Sequence, residues 1–142
     1  MASWWVNQLG THKLEIQGGY LWAPISPHHG HESMNLVCQG DLVFSHVSGR
    51  IIAIGTAQSE PYFSLKSLEI SEARLHPNIN WANEGMRVEV LYDKLEDPIV
   101  IGSIVDQLMP LMQKKYAPLN KNGKANQGYL YRLSREASDT LL

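Results

Sequence analysis

Two tryptophans lie in segments with loop-like composition, where an aromatic ring could bind a flat ligand by stacking. Trp22 follows the glycine pair 18–19 and precedes Ala23-Pro24, and Trp81 lies in the Asn-containing stretch 77–85. An indole face stacks on any nucleobase and contributes about 1–3 kcal/mol per base. A loop tryptophan folded back over the core explains the same pattern equally well. The sequence therefore predicts that Trp22 and Trp81 either form a stacking site or cover the hydrophobic core.

Three polar side chains lie at strand positions where they could contact such a ligand. Asn7 ends the first predicted strand, and its amide offers a donor and an acceptor to a base edge. Ser45 and His46 interrupt an apolar strand, so they form either a solvent-facing polar pair or part of a pocket wall. Trp4 and Trp5 are adjacent in the first strand and therefore point to opposite faces. One is expected in the core, and the other could line the pocket.

The segment 114–127 carries four of the twelve basic residues and no acidic residue. Its lysines, Lys114, Lys115, Lys121 and Lys124, form a strip that could contact phosphates, although a solvated loop explains the same charges. The whole chain has a formal charge of −2 and a pI near 6.3. Domains that bind nucleic acid mainly by charge have a pI above about 9. The low pI excludes a protein that coats nucleic acid regardless of sequence, but a protein that recognises one nucleotide stays possible.

Catalytic and metal chemistry has little support in the sequence. Cys38 is the only cysteine, which rules out a disulfide framework, fits a reducing cytoplasmic location, and indicates an inert thiol. Three loop histidines, His28, His29 and His31, lack the spacing of a zinc site. The glycine pair 18–19 is not followed by the Lys-Ser/Thr of a phosphate-binding loop. The sequence predicts no metal and no cofactor.

The chain of 142 residues, 44% of them apolar, is large enough for one domain with its own core, spanning residues 1–142. No apolar run approaches the roughly 20 residues of a membrane span. A tight turn at Ser48-Gly49 predicts a hairpin between two apolar strands. Helical spacing predicts a helix over 101–113 that kinks or restarts at Pro110, and Ser134 opens a C-terminal helix. The other predicted strands are Trp4–Val6, 87–92 and 129–133, which gives an α+β fold with a curved sheet flanked by helices.

Taken in order, these segments resemble the EVE-like group of the PUA superfamily, which includes the YTH readers of modified RNA. The variety it resembles is found at the N-terminus of modification-dependent restriction enzymes, fused to HNH nucleases or GTPase motors. The resemblance covers nearly the whole chain. The segments that carry it are Trp5-Val6-Asn7-Gln8, 18–24, Met34, 40–45, 51–57, Trp81, 85–90, Leu95, Pro98-Ile99, 115–119 and 127–130.

The resemblance implies a pseudo-barrel whose pocket accepts one flipped, modified base between aromatic walls. Trp22 and Trp81 would form those walls, Asn7 would contact the base edge, and Ser45 or His46 would lie on the adjoining strand. Further members of the pocket by position are Tyr20 and Gln127. Relatives that read modified cytosine and relatives that read 6-methyladenine both occur, so the resemblance does not fix the modification.

The sequence therefore predicts a non-catalytic domain that recognises a methylated or hydroxymethylated base in double-stranded DNA. It would be the specificity module of a cytoplasmic restriction system, with a nuclease or motor in the same or a partner chain. A reader of modified RNA, or of a free nucleotide-like molecule, is the alternative. A third class is a small hydrolase that uses His46 and Asp41.

Overall fold

The computed structural model describes residues 1–24, 32–65 and 84–142. Trp81 and the three loop histidines lie outside these residues. The described elements are β1 (Ser3–Asn7), α1 (His12–Gly18), β2 (Tyr20–Pro24), β3 (Leu42–Val47), β4 (Arg50–Ala57), β5 (Tyr62–Leu65), β6 (Glu84–Val100), α2 (Ile101–Leu108), β7 (Leu130–Leu133) and α3 (Arg135–Leu141), with 3₁₀ turns at Glu32–Leu36 and Met109–Leu111.

A curled mixed sheet forms a half-barrel, with strand order β2-β6-β4-β3-β1-β7. Strand β1 runs parallel to β3, and the other described pairs are antiparallel. The 17-residue β6 produces much of the curl, because its first part pairs with β2 and β5 and its second part with β4. The predicted α+β fold with a curved sheet and flanking helices is confirmed.

The β3–β4 hairpin forms where the sequence predicts it. Ser48 and Gly49 both have positive φ, 49° and 81°. Two central residues with positive φ give the turn whose twist matches that of the flanking strands. The Ser48-Gly49 pair thus fixes the register of β4 against β3, the strand that carries both Ser45 and His46.

The two faces of the sheet carry separate apolar clusters. Trp4 belongs to the cluster inside the half-barrel, with Val43 and Val88. Trp5 belongs to the cluster on the outer face, together with residues of α2 and α3. Both indoles are buried, with exposed fractions of 1% and 0%. The predicted opposite orientation is confirmed, but both rings are core residues.

A buried glutamate bridges the gap between the edge strands β2 and β7. Glu15 Oε1 accepts from the Trp22 backbone N–H at 3.2 Å and from the Tyr129 hydroxyl, one residue before β7, at 2.5 Å. Glu15 Oε2 accepts from the Thr11 hydroxyl at 3.0 Å. The curled sheet is therefore closed here by side-chain hydrogen bonds, where a fully closed barrel would have strand pairing.

Three local expectations are corrected by the structure. Trp22 lies in strand β2 and not in a loop, because residues 20–24 pair with β6 despite the glycine pair and Pro24. Residues 12–18, for which the sequence predicts no helix or strand, form helix α1, which ends at Gly19 in the left-handed conformation. The helix predicted over 101–113 ends at Leu108, and Pro110 lies in the 3₁₀ turn that follows. No helix of the described residues is long and apolar enough to cross a membrane.

Candidate functional site

The Asn7 side chain is the centre of a hydrogen-bonded brace on the outer face of the sheet. Its Oδ1 accepts from Trp5 Nε1 at 2.9 Å and lies 2.9 Å from His46 Nδ1. Its Nδ2 donates to the carbonyl oxygens of Asn126 at 3.1 Å and Gly128 at 2.6 Å. Both lone pairs and both protons of the amide are thus engaged within the protein. This arrangement fits a positioning role for Asn7 better than direct contact with a base edge.

His46 takes part in this brace as a neutral imidazole. The Gly49 backbone N–H points at His46 Nε2, 3.2 Å away, so Nε2 is an acceptor and Nδ1 carries the proton donated to Asn7. Burial lowers the pKa of His46, which favours the same neutral form. The ring also packs against Trp5, with centroids 4.8 Å apart. His46 therefore links β1, β3 and the hairpin turn.

A second polar group lies inside the half-barrel, on the opposite face of the same two strands. Gln8 and Ser45 are fully buried, and Gln8 Nε2 donates to the Tyr92 hydroxyl at 2.9 Å. Tyr92 in turn donates to the backbone oxygen of Tyr20 at 3.0 Å. Burial and the charge of Glu15 raise the pKa of Tyr92 well above its ordinary value, while Gln8 and Ser45 act in the opposite direction. Tyr92 is therefore a neutral hydroxyl that orders this interior group.

Two atoms of this interior group have no hydrogen-bond partner among the described residues. They are Gln8 Oε1 and Ser45 Oγ. A buried polar atom without a partner costs about 1–3 kcal/mol, so native proteins retain few of them. Gln8 Oε1 and Ser45 Oγ are therefore polar atoms whose hydrogen-bonding capacity is incompletely met, and both side chains are fully buried.

Trp22 and Tyr20 lie together on a different surface, against β6 and α1. They cluster with Leu14, and the Trp22 Nε1 donates to the Ser64 carbonyl oxygen at 3.1 Å. The Arg87 guanidinium lies 4.3 Å from the centroid of the Tyr20 ring. Trp22 is 1% exposed, so its indole is packed on all sides in this structure. A stacking role for Trp22 stays a prediction.

The basic strip is folded more tightly than a solvated loop. Residues 119 and 125 form a β-bridge, and Asn120 Oδ1 accepts from the backbone N–H groups of Asn122 and Lys124 at 2.9 and 3.1 Å. The four lysines are all exposed. Gln127 is exposed as well, between the two residues whose carbonyl oxygens bind Asn7. The brace therefore attaches this strip to the end of β1.

The predicted site residues thus fall into separate groups. Asn7 and His46 are in contact on the outer face, Ser45 faces the interior, and Tyr20 and Trp22 pack beside β6. The strands explain this division, because Asn7 pairs with His46 and Val6 with Ser45, and successive residues alternate between faces. A cavity of about 450 Å³ lies elsewhere, between the start of β1 and α3, and contains none of these residues.

The hydrolase alternative receives no support from the described geometry. Asp41 precedes β3 and His46 lies near its other end, about 16 Å away at 3.3 Å per residue. The Asp41 carboxylate already accepts from Ala2 N, Trp4 Nε1 and Cys38 N, each at 2.9 Å. Burial alone would raise the pKa of Asp41, but these hydrogen bonds outweigh it and lower the pKa. Within residues 1–24, 32–65 and 84–142 no cluster of His, Cys, Asp and Glu could hold a metal.

Solved structures match this architecture across nearly the whole chain. The N-terminal domain of McrB from Staphylothermus marinus matches with a TM-score of 0.62 and 14% identity, covering 98% of this chain and 92% of that one. Human THYN1, in complex with 5-methylcytosine-containing DNA, matches with a TM-score of 0.58 and 10% identity, covering 99% and 95%. Rpa0253 from Rhodopseudomonas palustris matches with a TM-score of 0.59 and 16% identity, covering 99% and 90%. The chain has an EVE/PUA-like fold. No protein-family model and no curated protein matches the sequence.

Within this EVE-like fold, the interior residues Gln8, Tyr92 and Glu15 are those that the sequence did not point to. Gln8 was part of a strand-ending Asn-Gln pair, and only Asn7 was singled out. Tyr92 lies in the predicted strand 87–92, and Glu15 lies in a segment for which the sequence predicts no helix or strand. The position of Glu15 between Leu14 and Ile16 was the sequence feature that could have indicated a helix here. An amphipathic helical turn in this segment would bury one of these two apolar neighbours.

Proposed function

We propose that residues 1–142 form one domain that recognises a modified base in double-stranded DNA without catalysing a reaction. The observation that supports this most is the match over 99% of the chain to human THYN1, a protein solved in complex with 5-methylcytosine-containing DNA. The match to the N-terminal domain of McrB supports the same class of partner. A nuclease or motor module in the same or a partner chain would complete a restriction system.

The proposed reading group is Gln8 with Ser45 at the interior ends of β1 and β3. Their unused oxygen atoms would hydrogen-bond to the edge of a base taken out of the duplex. Extrusion of a base costs a few kcal/mol, which stacking and edge hydrogen bonds can offset. Stacking by Trp22 and Trp81 is a separate part of the proposal, because Trp22 packs beside Tyr20 on a different surface from Gln8 and Ser45. The proposed role of Asn7 and His46 is to hold the two strand ends in place.

Selectivity for the modification requires more than burial of a methyl group. Burial of one methyl contributes about 0.8 kcal/mol, roughly a fourfold preference. A polar group left unsatisfied by the wrong base costs about 1–3 kcal/mol and discriminates more strongly. Gln8 and Ser45 are the residues whose partners would differ between bases, so they are the proposed source of base specificity.

The replacement Ser45→Ala tests this proposal with two independent measurements. It removes a buried hydroxyl that has no partner within strict hydrogen-bond distance but still interacts with Tyr92, so the free energy of unfolding should change by less than about 1 kcal/mol. Selective binding should nevertheless fall about fivefold or more, the equivalent of one lost hydrogen bond at about 1 kcal/mol. Dissociation constants are measured by fluorescence anisotropy on matched duplexes containing 5-methylcytosine, 6-methyladenine or no modification.

Ser103→Ala is the matched control, because Ser103 is an exposed serine on α2. Equal affinity of the wild-type protein for modified and plain duplexes would refute recognition of a modified base. Tighter binding of modified single-stranded RNA than of any duplex would refute DNA as the partner. Unchanged selectivity in Ser45→Ala would remove Ser45 from the reading group while leaving the proposed function in place.

A further inference from the structure

Tyr116 has a backbone conformation that is rare for a residue with a large side chain. Its φ is 59°, in the left-handed region, and Ser48 is the other non-glycine residue of the described chain with positive φ. Ser48 belongs to the hairpin turn, which requires that conformation. A bulky side chain in the left-handed region is a genuine outlier, and such residues concentrate at functional positions. The conformation of Tyr116 therefore calls for a reason.

Hydrogen bonds on both sides hold the backbone of Tyr116. Gln113 Nε2 donates to the carbonyl oxygen of Tyr116 at 2.9 Å and to that of Arg132, in edge strand β7, at 2.7 Å. On the other side, Asn126 Nδ2 donates to the carbonyl oxygen of Ala117 at 2.7 Å. The backbone at Tyr116 is thus held by Gln113, which also binds edge strand β7, and the adjacent Ala117 is held by Asn126 of the basic strip.

This backbone presents an aromatic ring to solvent among positive charges. The Tyr116 side chain is 65% exposed, whereas the next three residues, 117–119, are buried. Lys114 and Lys115 precede it and are exposed, and the segment 113–127 contains four lysines and no acidic residue. An exposed ring flanked by lysines on an ordered backbone combines the two features by which proteins contact single bases and their phosphates.

We propose that Tyr116 with Lys114 and Lys115 forms a second DNA contact, separate from the interior reading group. The ring stacks on a base that is not paired, and the two lysines contact the neighbouring phosphates. The partner class rests on the proposed function, but the contact itself does not depend on which modification is read. Asn7 supports it from a distance, since its amide binds the carbonyl oxygens at the end of the same strip.

The experiment separates the ring from the charges by salt dependence. Dissociation constants are measured from 50 to 300 mM salt for a duplex that carries one unpaired base. Tyr116→Ala should weaken binding about tenfold at every salt concentration and leave the slope of log K against log salt unchanged, because the ring is neutral. Lys115→Ala should reduce that slope by about 0.9, the value for one lost phosphate contact. Tyr116→Phe should bind as the wild type does.

Two further variants keep the result interpretable. Tyr116→Gly removes the ring while allowing positive φ, so it should lose affinity as Tyr116→Ala does, with no loss of thermal stability. Phe63→Ala removes another exposed ring and should not change affinity. Wild-type affinity in both Tyr116→Ala and Tyr116→Gly would overturn the proposal, and so would an equal loss in Tyr116→Phe. Loss of affinity for modified and plain duplexes alike would support it even if the wild type showed no preference between them.

Discussion

Replacement of Glu15 measures how much the side-chain closure of the half-barrel contributes to stability. Glu15 is fully buried, and its carboxylate accepts from the Trp22 backbone N–H and from the hydroxyls of Tyr129 and Thr11. In Glu15→Ala the Trp22 N–H retains the Tyr129 hydroxyl as an acceptor at 3.2 Å. The two hydroxyls lose the acceptor that the structure gives them.

The expected cost follows from these contacts. Each buried donor left without its acceptor costs about 1–3 kcal/mol, which gives about 2–6 kcal/mol for the two hydroxyls. Glu15→Gln keeps one oxygen acceptor but turns an amide N–H₂ toward a donor, so about 1–3 kcal/mol is expected. Because a domain of this size is stable by about 5–15 kcal/mol, the Gln variant should remain folded and measurable.

Urea unfolding followed by tryptophan fluorescence and circular dichroism gives both free energies. Glu96→Ala is the control, since Glu96 is exposed on β6 and should change stability by less than about 0.5 kcal/mol. A loss below 1 kcal/mol in Glu15→Ala would show that the gap between β2 and β7 is closed by packing alone. Glu15→Ala must also lose more free energy of unfolding than Glu15→Gln, because only the Gln variant retains an oxygen acceptor.

Two other predictions concern the brace and the Trp22 surface. Burial lowers the pKa of His46 below its ordinary 6.5. Protonation of His46 therefore favours the unfolded state. The contribution of His46 to the free energy of unfolding should be complete above pH 6.5 and should decrease as the pH drops from 6.5 toward the folded-state pKa. Chemical unfolding between pH 5 and 8 should show this decrease in the wild type, and a His46→Gln variant with the same decrease would contradict it. A Cβ on Gly85 would lie 2.4 Å from both the Ala23 carbonyl oxygen and Trp22 Cζ2, so Gly85→Ala should cost about 1–3 kcal/mol and shift the tryptophan emission; wild-type stability and emission would show that Trp22 does not rest against Gly85.

Sequence patterns identified the elements whose buried faces are apolar. The β3–β4 hairpin was predictable because both strands are apolar and Ser48-Gly49 suits a turn with two positive φ values. The C-terminal helix was predictable from Ser134, whose hydroxyl accepts from the Ala137 N–H at 3.1 Å as an N-cap. In these segments local preference and tertiary packing favour the same structure.

The two missed elements, α1 and β2, lack the sequence patterns on which prediction of a helix or a strand depends. Helix α1 buries Glu15, so its inward face does not show the apolar pattern on which helix prediction depends. Strand β2 follows Gly18-Gly19 and ends at Pro24, both of which indicate a loop, yet its residues pair with β6. Only tertiary contacts explain either element, since Glu15 is stable inside the protein because Trp22, Tyr129 and Thr11 donate to it.

The division of the predicted site between two faces has a structural logic that the sequence could not show. Asn7 of β1 pairs with His46 of β3. Gln8 follows Asn7 in the chain and Ser45 precedes His46, and both belong to the interior group. The register of β3 against β4 shifts between Ser45 and His46, where Ile52 of β4 has no partner in β3. A brace whose amide is fully hydrogen-bonded on one face fixes the backbone that carries the two unused oxygen atoms on the other. Recognition by Gln8 and Ser45 would therefore begin from an ordered geometry, which is the condition under which one or two hydrogen bonds can discriminate between bases.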